Sequence, residues 1–177
     1  MALLHELVEK YHFRLVRYLI YLLGRREAVD DLVQETWLRV LERGGSYNGR
    51  SRFEPWLFAI ARNLTMHHLR KRRIFSLDSN AESSEHSEQH RHLAPPVSTA
   101  PSPFEMAART QDAQRLAHTL DQLEPIYREA LVLRFQEDLS LQEMSTLIGV
   151  PLTTVSSRIY RGLAALRIHM KDEEHAG

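Results

Sequence analysis

The chain has 177 residues, 43% of them hydrophobic and 26% charged, with 23 Lys and Arg against 23 Asp and Glu. That length and apolar content suit one domain or two small ones, and the lack of cysteine excludes a disulfide framework, thiolate zinc sites and a cysteine nucleophile. The longest apolar run, Tyr18 to Leu23, falls far short of the ~20 residues that cross a bilayer, and the N-terminus lacks a signal peptide's basic start, so a cytoplasmic protein without membrane insertion is expected.

Helical periodicity dominates, and no strand-like alternation is sustained. Leu4, Leu7, Val8, Tyr11, Leu15, Tyr18, Leu19 and Leu22 mark one face of a first helix that Gly24 ends. A second helix runs from about Glu27 to Glu42, with Leu32, Val33, Trp37, Val40 and Leu41 expected inward. Asp30 and Asp31 lie near its start, where acidic side chains suit the helix dipole. Gly44 to Ser51 is rich in turn residues and reads as a loop. A third helix begins near Phe53 to Pro55 and continues to about Arg73, with Phe53, Trp56, Leu57, Ile60, Ala61 and Leu64 on its apolar face.

Residues 76–104 are rich in Ser, Glu, His and Pro and carry few large apolar side chains, which predicts a flexible linker between two lobes. His86, His90 and His92 within it could hold a metal. They lack the partners of a structural site, so a solvated segment is the better reading and neither metal nor cofactor is expected. The second lobe, 107–177, resumes with helices at about 107–123 and 125–136. Ser140-Leu141-Gln142-Glu143 then matches a capping box and opens a short helix that ends at Gly149. After the turn at Val150 and Pro151, Thr153 or Thr154 could cap a last helix running to about Lys171. Short helix, glycine turn and longer basic helix together predict a helix-turn-helix.

The zero net charge conceals an uneven distribution. Residues 1–75 carry 14 basic and 8 acidic side chains, whereas residues 112–177 carry 7 and 10. Two stretches are basic without any acid, Arg62 to Phe75 and Pro151 to Lys171, as two polyanion contacts would require. Solvated helix faces would carry similar charge. On the last helix Val155, Ile159, Leu163 and Leu166 are spaced to pack inward, leaving Thr154, Ser157, Arg158 and Arg161 outward. Arginine suits phosphates and guanine edges in the major groove, and small hydroxyl residues allow close approach. On the third helix, Arg62, Asn63, Arg70, Lys71, Arg72 and Arg73 follow Tyr47, Phe53, Trp56 and Phe58. That mixture suits opened nucleic acid, although Phe53 and Trp56 taken singly read better as core.

Four motifs in order, Asp30 to Arg39, Phe53 to Asn63, Tyr127 to Arg134 and Leu139 to Arg158, resemble sigma factors of bacterial RNA polymerase. The similarity is to the small extracytoplasmic-function type with only regions 2 and 4. It implies an all-α chain of two helical lobes that is not an enzyme, but a subunit directing core polymerase to promoter DNA. It implies docking on the β′ clamp helices through Asp31, Gln34, Glu35 and Arg39, with contact to the β subunit as well. Capture and opening of the −10 element would fall to Tyr47, Asn48, Arg50, Ser51, Arg62, Asn63 and Arg70. Reading of the −35 element would fall to Thr154, Ser157, Arg158 and Arg161. An anti-sigma factor is an implied partner. His67, Thr153 and Ser156 depart from the family's pattern, and the promoter sequence does not follow. The rival readings are a self-sufficient helix-turn-helix regulator, a helical adaptor for acidic partners and, more distantly, an enzyme acting on nucleic acid.

Overall fold

The computed structural model describes residues 2–24, 27–78 and 103–176, and among them it is helical without strands. The histidines of the 76–104 stretch lie outside the described residues. The N-terminal lobe comprises α1 (Ala2–Leu23), α2 (Val29–Arg43), a single 3-10 turn at Gly44–Ser46 and α3 (Phe53–Asp78). The C-terminal lobe comprises α4 (Pro103–Gln122), α5 (Pro125–Leu131) with a wide π turn at Val132–Gln136, α6 (Leu141–Ile148) and α7 (Leu152–Ala176). Helices therefore reach into both ends of the expected linker: α3 continues to Asp78, and α4 starts at Pro103, a residue suited to a first helical turn.

In the first lobe, the periodic apolar residues do what their spacing requires. Tyr11, Leu15, Tyr18 and Leu19 of α1 meet Val29, Leu32, Val33, Trp37 and Val40 of α2 and Leu57, Phe58, Ile60 and Ala61 of α3. Each fully buried Leu or Phe contributes roughly 1.5–3 kcal/mol. Leu41 is a correction. It is 55% exposed, because it lies about 100° round the helix from Val40 and misses the seam.

The second lobe is organised by close contacts. Arg128, itself buried, donates to the carbonyl oxygens of Leu120, Asp121 and Leu123 at 2.9, 2.7 and 3.0 Å and to that of Tyr21 at 3.2 Å. It thereby satisfies carbonyls at the ends of α4 and α1, and burial lowers the pKa of its guanidinium. On α7 the inward set is Val155, Ile159, Gly162 and Leu166, and the expected Leu163 is exposed instead. The reason is a tight approach of α5: a Cβ on Gly162 would stand 3.1 Å from Leu131 Cγ.

The helix-turn-helix forms as its local signals require. Glu143 N–H donates to Ser140 Oγ at 3.2 Å, and Ser140 N–H donates to Glu143 Oε2 at 2.7 Å, completing the capping box. Gly149 ends α6 at φ 77°, and Ser145 Oγ staples the turn by donating to Val150 O at 2.7 Å. Helix α7 begins at Leu152, one residue ahead of the expected threonine cap. Pro151 O receives the Thr154 and Val155 amides at 2.9 and 3.1 Å, which leaves Thr153 and Thr154 inside the first turn. At Gly149 a Cβ would meet nothing within 4 Å, so Gly149→Ala isolates the backbone conformation. Its left-handed φ predicts a loss of about 1 kcal/mol, read as a lower denaturant midpoint at constant slope.

The lobes are not merely tethered. Ala130, Val132, Leu133, Leu139, Met144, Leu147, Ile148 and Val155 join the α1–α3 residues in one continuous apolar cluster. Helix α5 packs on α1, and α6 packs on α3.

Candidate nucleic-acid and polymerase interfaces

The four residues of α7 chosen from the sequence stand together. Thr154, Ser157, Arg158 and Arg161 line an open cleft of about 340 Å³ with Thr153, Ile126 and Tyr127. Helical spacing alone puts them within one face, and the capping box and Gly149 turn fix how α7 is presented. Ser157 and Arg161 are exposed, while Thr154 and Arg158 are partly covered by the start of α5. The arrangement offers two guanidinium groups and two hydroxyls on one face of α7, a set suited to a major groove. Ile126 and Tyr127 of the wall were not chosen as contacts from sequence, although Tyr127 opens one of the motifs, since only the α5–α7 crossing brings them there.

The Gly44 to Arg52 loop is held by its own side chains. Tyr47 Oη donates to Ser51 O at 2.6 Å, Arg50 N–H donates to Asn48 Oδ1 at 3.0 Å, and Ser46 Oγ donates to Arg43 O at 2.7 Å. Below it lies an aromatic cluster. Tyr47 is 5.7 Å from Phe53 and 5.2 Å from Trp56, and Tyr11 is 5.1 Å from Phe53, measured between ring centroids. Phe53 and Trp56 are half-buried and pack against the core of the lobe. Asn48, Arg50 and Ser51 are exposed on the loop, and Asn63 and Arg70 are exposed on α3.

Glu54 closes the base of this loop. Its carboxylate accepts from Tyr11 Oη at 3.1 Å and lies 3.6 Å from Arg14 and 3.8 Å from Arg52. Burial would raise its pKa, but its own backbone amide, Tyr11, Arg52 and Arg14 together bring it below the usual carboxylate value. A depressed folded value contributes stability above the unfolded pKa and loses it as pH falls through the folded one. Glu54→Gln is therefore expected to flatten the acid limb of a stability–pH curve, measured as thermal midpoints from pH 7 down to pH 3.

Arg62 is placed differently from its neighbours. Its Nε donates to Glu129 Oε1 at 2.7 Å and its Nη2 to Oε2 at 3.4 Å, so it faces the other lobe. Burial works to lower its pKa, but the hydrogen bond and charge of Glu129 outweigh that and raise it. The same carboxylate accepts from Tyr18 Oη at 3.0 Å; burial and Glu129 raise that phenol's pKa well above its ordinary value.

On α2, Asp31 and Gln34 are exposed, and Glu35 and Arg39 are paired at 3.0 Å, with Glu42 3.2 Å from Arg39. Between these polar groups stand Leu38 and Leu41, each 55% exposed. Positions 31, 34, 38 and 41 form one stripe, and Leu38 points directly away from the core side. Sequence reasoning missed both leucines, because an apolar residue inside a periodic helix was read as core or passed over. Among the described residues no group of three or more His, Asp or Glu is placed to hold a metal ion, and no helix is long and apolar enough to cross a membrane.

Residues 7–74 match the family Sigma-70 region 2, and residues 113–166 match Sigma-70, region 4. The chain is 31% identical over 162 residues to the RNA polymerase sigma-H factor of Pseudomonas aeruginosa, covering 90% of this chain and 82% of that protein. It is 26% identical over 168 residues to the ECF RNA polymerase sigma factor SigW of Bacillus subtilis, covering 94% and 88%. In fold it is similar to the sigma factor RpoE in complex with the anti-sigma factor NepR from Bartonella quintana, with a TM-score of 0.73, 23% identity and coverage of 94% and 96%. It is also similar to CnrH in complex with the cytosolic domain of CnrY, with a TM-score of 0.61, 23% identity and coverage of 96% and 88%. With both regions present in order and relatives matching along nearly all of its length, the chain belongs to the extracytoplasmic-function sigma factors of RNA polymerase.

Proposed function

We propose that this sigma factor docks on the β′ clamp helices of core polymerase through the outer stripe of α2, with Asp31, Gln34, Glu35 and Arg39 framing Leu38 and Leu41. The β subunit supplies a further contact. The N-terminal lobe, residues 1–75, reads and opens the −10 element. Tyr47, Asn48, Arg50 and Ser51 act from the loop, and Arg62, Asn63 and Arg70 act from α3. The C-terminal lobe, residues 107–177, reads the −35 element as duplex through Thr154, Ser157, Arg158 and Arg161. The observation that carries this division is the meeting of those four residues in one open cleft at the helix-turn-helix.

The chain supplies selectivity and leaves nucleotide chemistry to the polymerase, so it works in the cytoplasm where that enzyme acts. Like the similar sigma factors solved with an anti-sigma partner, it is held in reserve by such a protein. A self-sufficient regulator is not favoured, because the family match spans the N-terminal lobe as well as the helix-turn-helix. Transcription from genomic DNA fragments by core polymerase, with and without the purified chain, tests this reading. New discrete start sites that require the chain are expected, and their absence with folded, inhibitor-free protein would reject it.

A further inference from the structure

The four α7 residues of the cleft do not all face the same way. At about 100° per residue, Ser157 lies about 170° from the centre of the inward set Val155, Ile159, Gly162 and Leu166. Arg161 follows at about 130°, Thr154 at about 110° and Arg158 at about 70°, turning steadily round one side of the helix. Burial follows that order: Ser157 and Arg161 are exposed, while Thr154 and Arg158 are partly covered. An α-helix with its side chains is about 10–12 Å across and the major groove about 12 Å wide. An inserted helix therefore brings its crest to the base edges and its flanks to the two strands. Ser157 and Arg161 stand on the crest of α7. Thr154 and Arg158 stand on the flank, where the first turn of α5 adds Ile126 and Tyr127.

The polar groups of this flank are unengaged where comparable groups elsewhere are not. Thr36, Thr65, Thr119 and Thr146 each donate to the carbonyl four residues earlier, between 2.6 and 3.1 Å. For Thr154 that carbonyl is Val150 O, which already accepts from Ser145 Oγ. Among the described residues, the Thr154 and Tyr127 hydroxyls and the Arg158 guanidinium have no hydrogen-bond or ion-pair partner, whereas Arg128 and Arg134 of the same lobe are held by backbone carbonyls. No carboxylate lines the cleft, and Ile126, 41% exposed, gives it an apolar wall. A guanidinium and two hydroxyls beside such a wall match a sugar–phosphate unit. The donors suit the anionic oxygens, and the apolar wall suits the carbons of a deoxyribose.

We propose that this flank grips one deoxyribose phosphate of the strand bordering the −35 major groove, with Arg158, Thr154 and Tyr127 on the phosphate and Ile126 against the sugar. Arg161 and Ser157 are then left to read bases. The grip rests on the −35 assignment above, adds two residues of α5 to it, and positions α7 without regard to sequence. The test uses core polymerase carrying the full chain, titrated with matched and mismatched −35 duplexes over a salt series. Arg158→Gln should weaken both duplexes equally, by about tenfold, and flatten log affinity against log salt by about one unit. Tyr127→Phe keeps the ring and loses only the hydroxyl, and should weaken both by about three- to tenfold. Arg161→Gln should instead reduce the discrimination between the duplexes. Single neutral methylphosphonate linkages, moved along the bordering strand, locate the contact. At one position the modification should weaken binding of the unsubstituted chain as much as Arg158→Gln does, and weaken that variant no further. A merely structural role for Arg158 would couple to no single linkage. An Arg158→Gln effect confined to matched duplex, or one coupled to no linkage, would overturn the grip. The −35 reading would still stand if Arg161→Gln lost discrimination. Unchanged affinity and discrimination in all three variants would reject both. Titrating the chain alone with deoxyadenosine monophosphate separates a free nucleotide from the strand, and no saturable binding is expected. Saturable binding that Arg158→Gln abolishes would assign the cleft to the free ligand and overturn the grip.

Discussion

Replacing Arg158 and Arg161 together by alanine is expected to cost the polymerase complex about 100-fold or more in affinity for −35 duplex, without loss of docking on the core enzyme. Each arginine that reaches a base edge or a phosphate contributes about 1–3 kcal/mol, and the two share one cleft with Thr154 and Ser157. Removing two cations should also flatten the dependence of log affinity on log salt by nearly two units if both touch phosphate. A base-reading arginine would instead relax sequence preference at one position, so a salt series on matched and mismatched fragments separates the two roles. Arg161 is exposed and Arg158 only half-buried, so stability should move little. Loss of core binding in the double variant would break the assignment of docking and −35 reading to different lobes.

Most of the lobes' internal architecture was legible in the sequence, because it rests on local signals. The 3.6-residue period of α1, the capping box at Ser140 and Glu143 and the left-handed Gly149 act over a few residues and need no knowledge of what packs above them. Errors arise where a tertiary neighbour decides. Leu163 fits the apolar spacing of α7, yet Leu131 comes so close to the helix that Gly162 takes the inward position. The threonine cap before α7 was plausible by residue type, but Pro151 supplies the carbonyl and the helix starts earlier. The packing of the lobes was not visible at all. Glu129 and Glu137 look like ordinary surface acids on a short helix, and only the fold brings Arg14, Arg17, Tyr18 and Arg62 to them. Charge segregation, basic in the first 75 residues and acidic in the last 66, was the one trace of that contact, and it pointed equally well to nucleic acid.

Leu38→Gln with Leu41→Gln is expected to weaken binding to core polymerase by about 30- to 100-fold while the lobe stays folded. Both side chains stand more than half exposed in the middle of a stripe whose other members are Asp31 and Gln34. A single exposed leucine needs no explanation, but two on one polar stripe of a helix whose opposite face is fully committed to the core require a use. Glutamine keeps helix propensity close to that of leucine, so the exchange removes apolar contact area without disturbing α2. Each leucine is 55% exposed, so covering that remaining part in a complex supplies roughly 1–1.4 kcal/mol, and the Glu35–Arg39–Glu42 pairs beside it form a polar rim that fixes orientation more than strength. A titration of labelled core polymerase, paired with denaturant unfolding of the free chain, reads both effects. Unchanged core affinity in the double variant would move the docking surface off this face of α2 and leave the exposed leucines to another partner. An affinity loss matched by a lower unfolding midpoint would mean that the two side chains support the lobe itself.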